Sequence, residues 1–304
     1  MKPLALLLAL ALSAAAEDIP VRIGSHALKL QVGDTERTYR LHVPDSFSRL
    51  KPASLVVALH GLGGTGAQME RITQFSKLSD ERGFVVVYPD GLNRMWRCTD
   101  RETGKPDLDF IKALLDALVE SKIADPLRIY VTGISNGAYM TNWLAVAMGD
   151  RIAAIAPVAG TILKPMVGRM KPALAVPVMY FHGTEDPIVR FDGKAGRLDR
   201  EVSLSAEELV DWWVKANESK KPNTAVMHSA ALLRDSRRDG TTVERQETSG
   251  DAPVVFYKIT GGGHTWPGMA RGLEHLLGRV CRDIDATKLI WDFFEHHPPP
   301  EEPK

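Results

Sequence analysis

The feature that most constrains the fold of this chain is a strand-like run followed at once by a tight turn and a helix-like run. Residues 127–132 are rich in apolar and β-branched side chains, and residues 133–137 read Gly-Ile-Ser-Asn-Gly. The two glycines allow a strand and a helix to approach closely around Ser135. Such a turn strains the serine backbone and exposes its hydroxyl at the end of a sheet. The pattern predicts a nucleophile elbow, whereas the alternative is a plain strand-to-helix turn with a solvated serine.

Short β-branched runs alternate with longer helical patterns along the chain. The runs 55–59 and 84–88 are apolar throughout, which is typical of central parallel strands that are covered on both faces. Strands are predicted at 27–32, 38–43, 54–59, 84–88, 128–132, 153–158, 176–181 and 254–259, and helices at 67–81, 108–121, 136–148, 205–216 and 284–295. The first two strands alternate as antiparallel edge strands do, and the polar segment 229–251 is expected to be loop or weak strand. This order predicts an α/β fold with a mostly parallel sheet, helices on both faces and no large lid domain.

Composition and charge exclude several classes of partner. Of the 304 residues, 44% are hydrophobic, which is ample for a large core. Lysine and arginine together number 38, as do aspartate and glutamate, so the formal net charge is zero. This balance gives no indication of nucleic acid or of an acidic membrane surface as a partner.

The N-terminus has the pattern of a secretory signal peptide at 1–16. Lys2 supplies the positive charge, residues 4–12 form an apolar run too short for a stop-transfer helix, and three alanines at 14–16 provide a cleavage site. No cysteine follows the apolar run, so we expect export without a membrane anchor. We expect one catalytic domain over 17–297 and a disordered tail over 298–304.

A serine nucleophile needs a histidine base and an acid that orients it. The three residues are expected in the chain order Ser, acid, His. The acid is expected after a strand, and the apolar run 178–181 ends in a turn that carries Asp186. Glu185 is the second choice and Asp192 a distant third. The base is expected in a late glycine-rich loop, where His264 follows the strand that ends at Ile259. The competing histidines are His182, which we expect to be structural, His228 and His275.

Backbone N–H groups are expected to stabilise the oxyanion that forms when the serine attacks a carbonyl carbon. One is the N–H of Asn136, directly after the nucleophile. The second is expected in the glycine-rich loop 60–66, where we assign Leu62 with Gly63 as the alternative. No Gly-Lys-Ser/Thr follows this loop, so a phosphate-binding loop is not indicated. The histidines lack metal-ligand spacing and no dinucleotide fingerprint occurs, so neither a metal nor a cofactor is predicted.

The two cysteines, Cys98 and Cys281, predict one disulfide because an even count in an exported protein favours pairing. Two separate buried thiols are the alternative.

With Ser135, Asp186 and His264 placed, the chain resembles the polyhydroxybutyrate depolymerase and feruloyl esterase group of the α/β-hydrolases, related to carbohydrate esterase family 1. The matching stretches include His-Gly at 60–61, Tyr-Pro-Asp-Gly at 88–91, Gly-Ile-Ser-Asn-Gly at 133–137, His-Gly-Thr-Glu-Asp-Pro at 182–187 and Gly-Gly-His-Thr-Trp-Pro-Gly at 262–268. The resemblance covers residues 37–296 and implies a secreted or periplasmic serine esterase without a cofactor. It places the nucleophile, acid and base on the same three residues. Many members carry a cysteine where this chain has Leu62.

The resemblance implies soluble or oligomeric ester substrates: feruloyl or acetyl groups on polysaccharides, or hydroxyalkanoate oligomers. Trp96 and Trp266 are candidates for stacking on such a substrate, with core packing as the alternative for both. Two other functions use the same fold. One is acyl transfer to an acceptor alcohol through the same acyl-enzyme, and the other is non-catalytic carbohydrate binding. Oligomeric state is not indicated by the sequence.

Overall fold

One mixed sheet organises the computed structural model, which describes residues 19, 21–98, 105–195, 202–218, 228–233, 237–270, 272 and 274–297. Its strands are β1 (Gly24–Val32), β2 (Thr35–Val43), β3 (Ala53–Leu59), β4 (Val85–Pro89), β5 (Ala124–Ile134), β6 (Ala154–Val158), β7 (Val178–Gly183), β8 (His228–Leu233), β9 (Thr242–Glu247) and β10 (Val254–Thr260). All eight predicted strands are confirmed. The predicted signal peptide 1–16 and tail 298–304 lie outside the described residues.

The sheet has parallel strands at its centre and antiparallel strands at both edges. The strand order is β1-β2-β4-β3-β5-β6-β7-β10-β9-β8. Six neighbouring strands are parallel to one another, namely β4, β3, β5, β6, β7 and β10. The pairs β1–β2 and β9–β8 are antiparallel. The carboxyl ends of the parallel strands meet at one edge, where α/β folds bind their ligands.

The helices are α1 (Gly66–Thr73), α2 (Phe75–Arg82), α3 (Lys105–Glu120), α4 (Asn136–Ala147), α5 (Lys164–Val167), α6 (Ala206–Glu218), α7 (Glu274–Leu277) and α8 (Ala286–Glu295). A capping box opens α6, since Ser205 Oγ accepts from Glu208 N at 3.0 Å and Glu208 Oε2 accepts from Ser205 N at 2.7 Å. Within the described residues, no helix has both the length and the apolar character needed to cross a membrane.

Two apolar cores lie on opposite faces of the sheet because successive strand residues point to opposite sides. In β3, Leu55, Val57 and Leu59 face the core that α3, α4 and α6 cover. Val56 and Ala58 face the core that α1, α2 and α8 cover. Full burial of each aliphatic side chain of this size contributes about 1.5–3 kcal/mol. These two cores fix the strand ends that carry the polar loops.

One predicted helix differs from the structure, and one polar segment takes the second of its two predicted forms. The helix predicted over 67–81 is broken at Gln74, whose backbone is left-handed at φ 57° and which ends α1 and precedes α2. Glutamine gives no sequence signal for this conformation, which glycine or asparagine normally provides. The polar segment 229–251 contains β9, and β8 begins just before it, because both strands extend the edge of a sheet that already exists.

The predicted disulfide is not formed between Cys98 and Cys281, both of which are described and buried as thiols. Cys98 belongs to the core beneath α3, whereas Cys281 belongs to the core on the other face of the sheet. The two thiols therefore pack into different cores, whereas a disulfide requires Cα atoms less than about 7 Å apart. Desolvation by burial raises the pKa of the Cys281 thiol, which keeps it protonated at neutral pH.

Candidate active site

Ser135 sits in the sharp turn between β5 and α4. Its backbone has φ 57° and ψ −122°, a conformation that L-residues rarely adopt. The Ser135 N–H donates to Val158 O of β6 at 3.0 Å, which ties the turn to the neighbouring strand. A Cβ on Gly137 would lie 2.3 Å from Leu59 O, so only glycine allows α4 to approach β3 this closely. The predicted elbow geometry is present.

Replacing Gly137 with alanine is expected to lower the free energy of unfolding by about 3 kcal/mol, because the added methyl group must push the start of α4 away from β3. Urea denaturation measures this change. The matched control is Gly168→Ala, at a position with φ −68° where an added Cβ meets no atom within 4 Å. We expect the control to stay within about 0.5 kcal/mol of the unmodified chain. Equal midpoints for the two variants would contradict the close approach.

The acid and base predicted from the sequence form a buried pair. Asp186 follows β7 and His264 follows β10, and His264 Nδ1 lies 2.7 Å from Asp186 Oδ2. The second carboxylate oxygen accepts the N–H groups of Ile188 at 2.8 Å and Val189 at 2.9 Å. Since a carboxylate only accepts, the Nδ1 of His264 carries the proton and its Nε2 is left as a base.

The two competing carboxylates point elsewhere. Glu185 forms an exposed ion pair with Arg279 at 2.7 Å. Asp192 is bound by Arg190 at 2.8 Å, also at the surface. Of the three candidates, only Asp186 reaches the imidazole of His264.

Backbone hydrogen bonds join the loop that carries the acid to the loop that carries the base. Thr184 N donates to Ile259 O at 2.9 Å, and Glu185 N donates to Gly262 O at 2.9 Å. The base loop is held from its other side, where His264 N donates to Leu277 O at 2.6 Å. The Asp186–His264 pair is therefore fixed by main-chain contacts as well as by its own hydrogen bond.

His182 is buried beneath this pair and acts as a structural group. Its Nε2–H donates to Val189 O at 2.9 Å, while its Nδ1 accepts the hydroxyl of Tyr180. Desolvation lowers the pKa of His182 and keeps the ring neutral. The imidazole lies 3.6 Å from Asp186 Oδ2, too far for a hydrogen bond. Of the other competitors, His275 is exposed on α7, and the side chain of His228 lies outside the described part of the chain.

The loop after β3 carries the two N–H groups considered as the second oxyanion donor, those of Leu62 and Gly63. Gly63 N donates to Arg94 O at 2.8 Å and Gly64 N donates to Gly61 O at 2.9 Å, so both of these groups are engaged within the protein. This favours Leu62 over the alternative Gly63 as the second donor. The loop lies against the nucleophile, since a Cβ built on Gly61 would be 3.3 Å from Ser135 Cβ. The Leu62 side chain is 62% exposed there.

His60 holds this loop, a role that is not predicted from the sequence. Its Nε2 accepts the N–H of Gly91 at 2.9 Å, so the proton resides on Nδ1, which donates to Gly61 O at 2.7 Å. Burial lowers the pKa of His60 and favours this neutral form. The signal for such a residue is its position, a polar side chain at the end of a fully apolar strand.

The two tryptophans predicted to stack on substrate are each only 1% exposed. Trp96 donates its indole N–H to His60 O at 2.9 Å, and Trp266 donates its indole N–H to Thr287 Oγ1 at 3.0 Å. Phe75 packs edge-on against Trp266 at 6.0 Å. Because neither ring has an open face, the structure contradicts the stacking role and supports the packing alternative for both.

A family model described as "Esterase PHB depolymerase" matches residues 37–197. The chain belongs to this esterase family. It is accordingly a carboxylic ester hydrolase with an α/β-hydrolase fold, as the resemblance in its motifs predicts. The matched region runs from the start of β2 to beyond the acid and includes both the elbow and the glycine-rich loop.

Curated relatives of the family agree with this assignment. The putative esterase NocK of Nocardia uniformis is 29% identical over 286 residues, which cover 88% of this chain and 81% of NocK. Feruloyl esterase B of Piromyces equi is 29% identical over 73% of this chain and 41% of its own length. Poly(3-hydroxyalkanoate) depolymerase C of Paucimonas lemoignei is 37% identical over 39% of this chain and 30% of its own. This chain thus spans less than half the length of the last two.

Solved structures show the same fold. Acetyl xylan esterase from Aspergillus awamori superposes with a TM-score of 0.60 over 89% of this chain and 99% of its own, at 18% identity. Esterase 2 of Thermogutta terrifontis superposes with a TM-score of 0.58 over 91% of this chain and 97% of its own, at 14% identity. At these identities the likeness concerns the fold alone.

Proposed function

We propose that this esterase cleaves carboxylic esters through an acyl-enzyme on Ser135, with His264 as the base and Asp186 as the acid. The observation that carries this proposal is the 2.7 Å contact between His264 Nδ1 and Asp186 Oδ2, which leaves Nε2 of the imidazole free to take a proton. The strained turn presents Ser135 at the same edge of the sheet. No metal or cofactor takes part in the proposed reaction.

In the first half of the reaction, Nε2 of His264 takes the proton of Ser135 Oγ as this oxygen attacks the ester carbonyl carbon. The N–H groups of Leu62 and Asn136 donate to the resulting oxyanion. His264 then gives the proton to the leaving alcohol. In the second half, His264 takes a proton from water, the hydroxide attacks the acyl carbon, and the proton returns to Ser135 Oγ.

We propose that the substrates are feruloyl or acetyl esters of polysaccharides. The names of two relatives support this: feruloyl esterase B, and a bifunctional acetylxylan esterase/xylanase of Neocallimastix patriciarum that is 28% identical over 53% of this chain. The exposed Leu62 supports an apolar surface beside the nucleophile. Hydroxyalkanoate oligomers are the second candidate, because the relative with 37% identity is a poly(3-hydroxyalkanoate) depolymerase.

We further propose that residues 17–297 form one catalytic domain that acts after export. The proposal rests on the signal-peptide pattern at 1–16, and it places the enzyme outside the cytoplasm, where polysaccharide esters occur.

The test compares initial rates on methyl ferulate, an acetylated xylo-oligosaccharide and a 3-hydroxybutyrate trimer, with Ser135→Ala as the blank. We expect the highest kcat/KM on one of the first two esters. A preference for the trimer would instead make the protein a hydroxyalkanoate esterase, and no hydrolysis of any ester would contradict the proposal. Adding an acceptor alcohol to the same assay tests acyl transfer, because a transferase forms a new ester rather than free acid.

A further inference from the structure

The side chain of Asn136 is bound to the backbone of Trp96 on both sides. Asn136 Oδ1 accepts the N–H of Trp96 at 2.7 Å, and Asn136 Nδ2 donates to the carbonyl of Trp96 at 2.9 Å. Asn136 is the first residue of α4 and directly follows the nucleophile. The carboxamide thus joins the helix behind Ser135 to the segment that follows β4, in the way that a neighbouring strand would.

Trp96 carries this connection on to the loop after β3. Its indole N–H donates to His60 O at 2.9 Å, and its ring packs on the His60 imidazole with centroids 5.0 Å apart. Both side chains are 1% exposed. Since they are enclosed by protein, a displacement of Trp96 must displace His60.

His60 in turn sets the direction of the Leu62 N–H. The Gly61 carbonyl accepts from His60 Nδ1 at 2.7 Å and from Gly64 N at 2.9 Å. The peptide between Gly61 and Leu62 is planar and trans, so its N–H points opposite to its C=O. Holding the carbonyl toward His60 therefore aims the N–H of Leu62 in the opposite direction.

We propose that Asn136 is a positioning residue whose side chain, acting through Trp96 and His60, aligns the N–H of Leu62 with its own backbone N–H. This inference rests on the proposed function, in which these two groups bind the oxyanion. The contribution is to the transition state, because the oxyanion exists only there. One residue thereby sets the spacing of both donors, one through its backbone and the other through its side chain.

The central experiment replaces Asn136 with alanine, which keeps the backbone N–H and removes both side-chain hydrogen bonds to the backbone of Trp96. We expect kcat to fall about 10- to 100-fold, with KM changed by less than about threefold. This fall is smaller than or similar to the one caused by removing an oxyanion donor itself. Affinity for a trifluoromethyl ketone, which forms a tetrahedral adduct with Ser135, is expected to fall in parallel with kcat/KM. Asn136→Asp, which keeps only the acceptor, is expected to give an intermediate loss.

A matched control is available in the same fold. Asn217 on α6 makes the same double contact with the backbone of Val176, accepting from its N–H at 3.1 Å and donating to its carbonyl at 2.8 Å. Asn217→Ala is expected to lower the free energy of unfolding while kcat of the folded protein stays within about twofold. An unchanged kcat in Asn136→Ala, a rise in KM alone, or an equal loss of kcat in Asn217→Ala would overturn the proposal.

A double-mutant cycle tests the connection through Trp96. Trp96→Phe removes the hydrogen bond to His60 O and keeps most of the packing. If Asn136 acts through Trp96, the loss in Asn136→Ala/Trp96→Phe is smaller than the product of the single losses. If the loss in the double variant equals the product of the single losses, the connection is refuted. Failure of the proposed function would look different, because the unmodified protein would then show no Ser135-dependent hydrolysis at all.

Discussion

Replacing Ser135 with alanine is expected to lower kcat by about a million-fold, as loss of the nucleophile does in serine hydrolases that use a triad. Without Oγ, neither attack on the carbonyl carbon nor an acyl-enzyme is possible. The turn itself does not need the hydroxyl, since Ser135 is held through its N–H to Val158 O and its neighbours are fixed by glycine contacts. The variant should therefore fold and bind substrate. Initial rates and labelling by a fluorophosphonate measure the effect.

The control for this variant is Ser121→Ala. Ser121 follows α3 and lies before β5, at the opposite end of that strand from Ser135, where its Oγ accepts the N–H of Ile19 at 3.4 Å. We expect its kcat to stay within about twofold of the unmodified protein. Retention of most of the activity by Ser135→Ala, or equal labelling of both variants, would refute the role assigned to Ser135.

The second large effect is expected for Asp186→Asn, which should lower kcat about 10⁴-fold because it stabilises the wrong tautomer of His264. The turn dictates how the new amide lies. The N–H groups of Ile188 and Val189 both point at Oδ1, so the amide must keep its oxygen there and turn its NH₂ toward His264. The Nδ1 of His264 then has to accept, its Nε2 carries the proton, and the base is lost.

Glu185→Gln provides the comparison for the acid. The Glu185 carboxylate is 61% exposed and pairs with Arg279, and exposed pairs of this kind contribute at most about 1 kcal/mol. We expect its kcat to stay within about twofold of the unmodified protein, on the same protein preparation and ester. If Glu185→Gln lost more activity than Asp186→Asn, the acid would be assigned to the wrong residue.

The fold and the contact between Asp186 and His264 could be predicted because each depends on local sequence. The strands are short β-branched runs, and the elbow needs two glycines around Ser135. Asp186 and His264 stand directly after strands in the chain order that this fold requires. The structure brings Asp186 and His264 together as predicted, and it favours Leu62 over Gly63 through hydrogen bonds that no pattern in the chain specifies.

The errors concern contacts between distant segments. Trp96 lies in an irregular segment without periodicity, so no pattern in the chain indicates that His60 and the neighbouring core cover its ring. An even cysteine count favours a disulfide, but the core into which each thiol packs depends on tertiary structure. The left-handed Gln74 is likewise stabilised by its surroundings rather than by its residue type.

The parallel pairing of β10 with β7 brings the proposed acid and base together. Asp186 and His264 are 78 residues apart along the chain, and they meet only after these two strands have aligned from Val254 opposite Val178 to Ile259 opposite Gly183. Parallel pairing across such a separation is slow, because the entropy of closing the loop is lost before the contacts form. On the proposed mechanism, a nascent or partly folded chain therefore holds Ser135 without its base and is inert toward esters. Ester hydrolysis during refolding thus reports the pairing of β7 with β10.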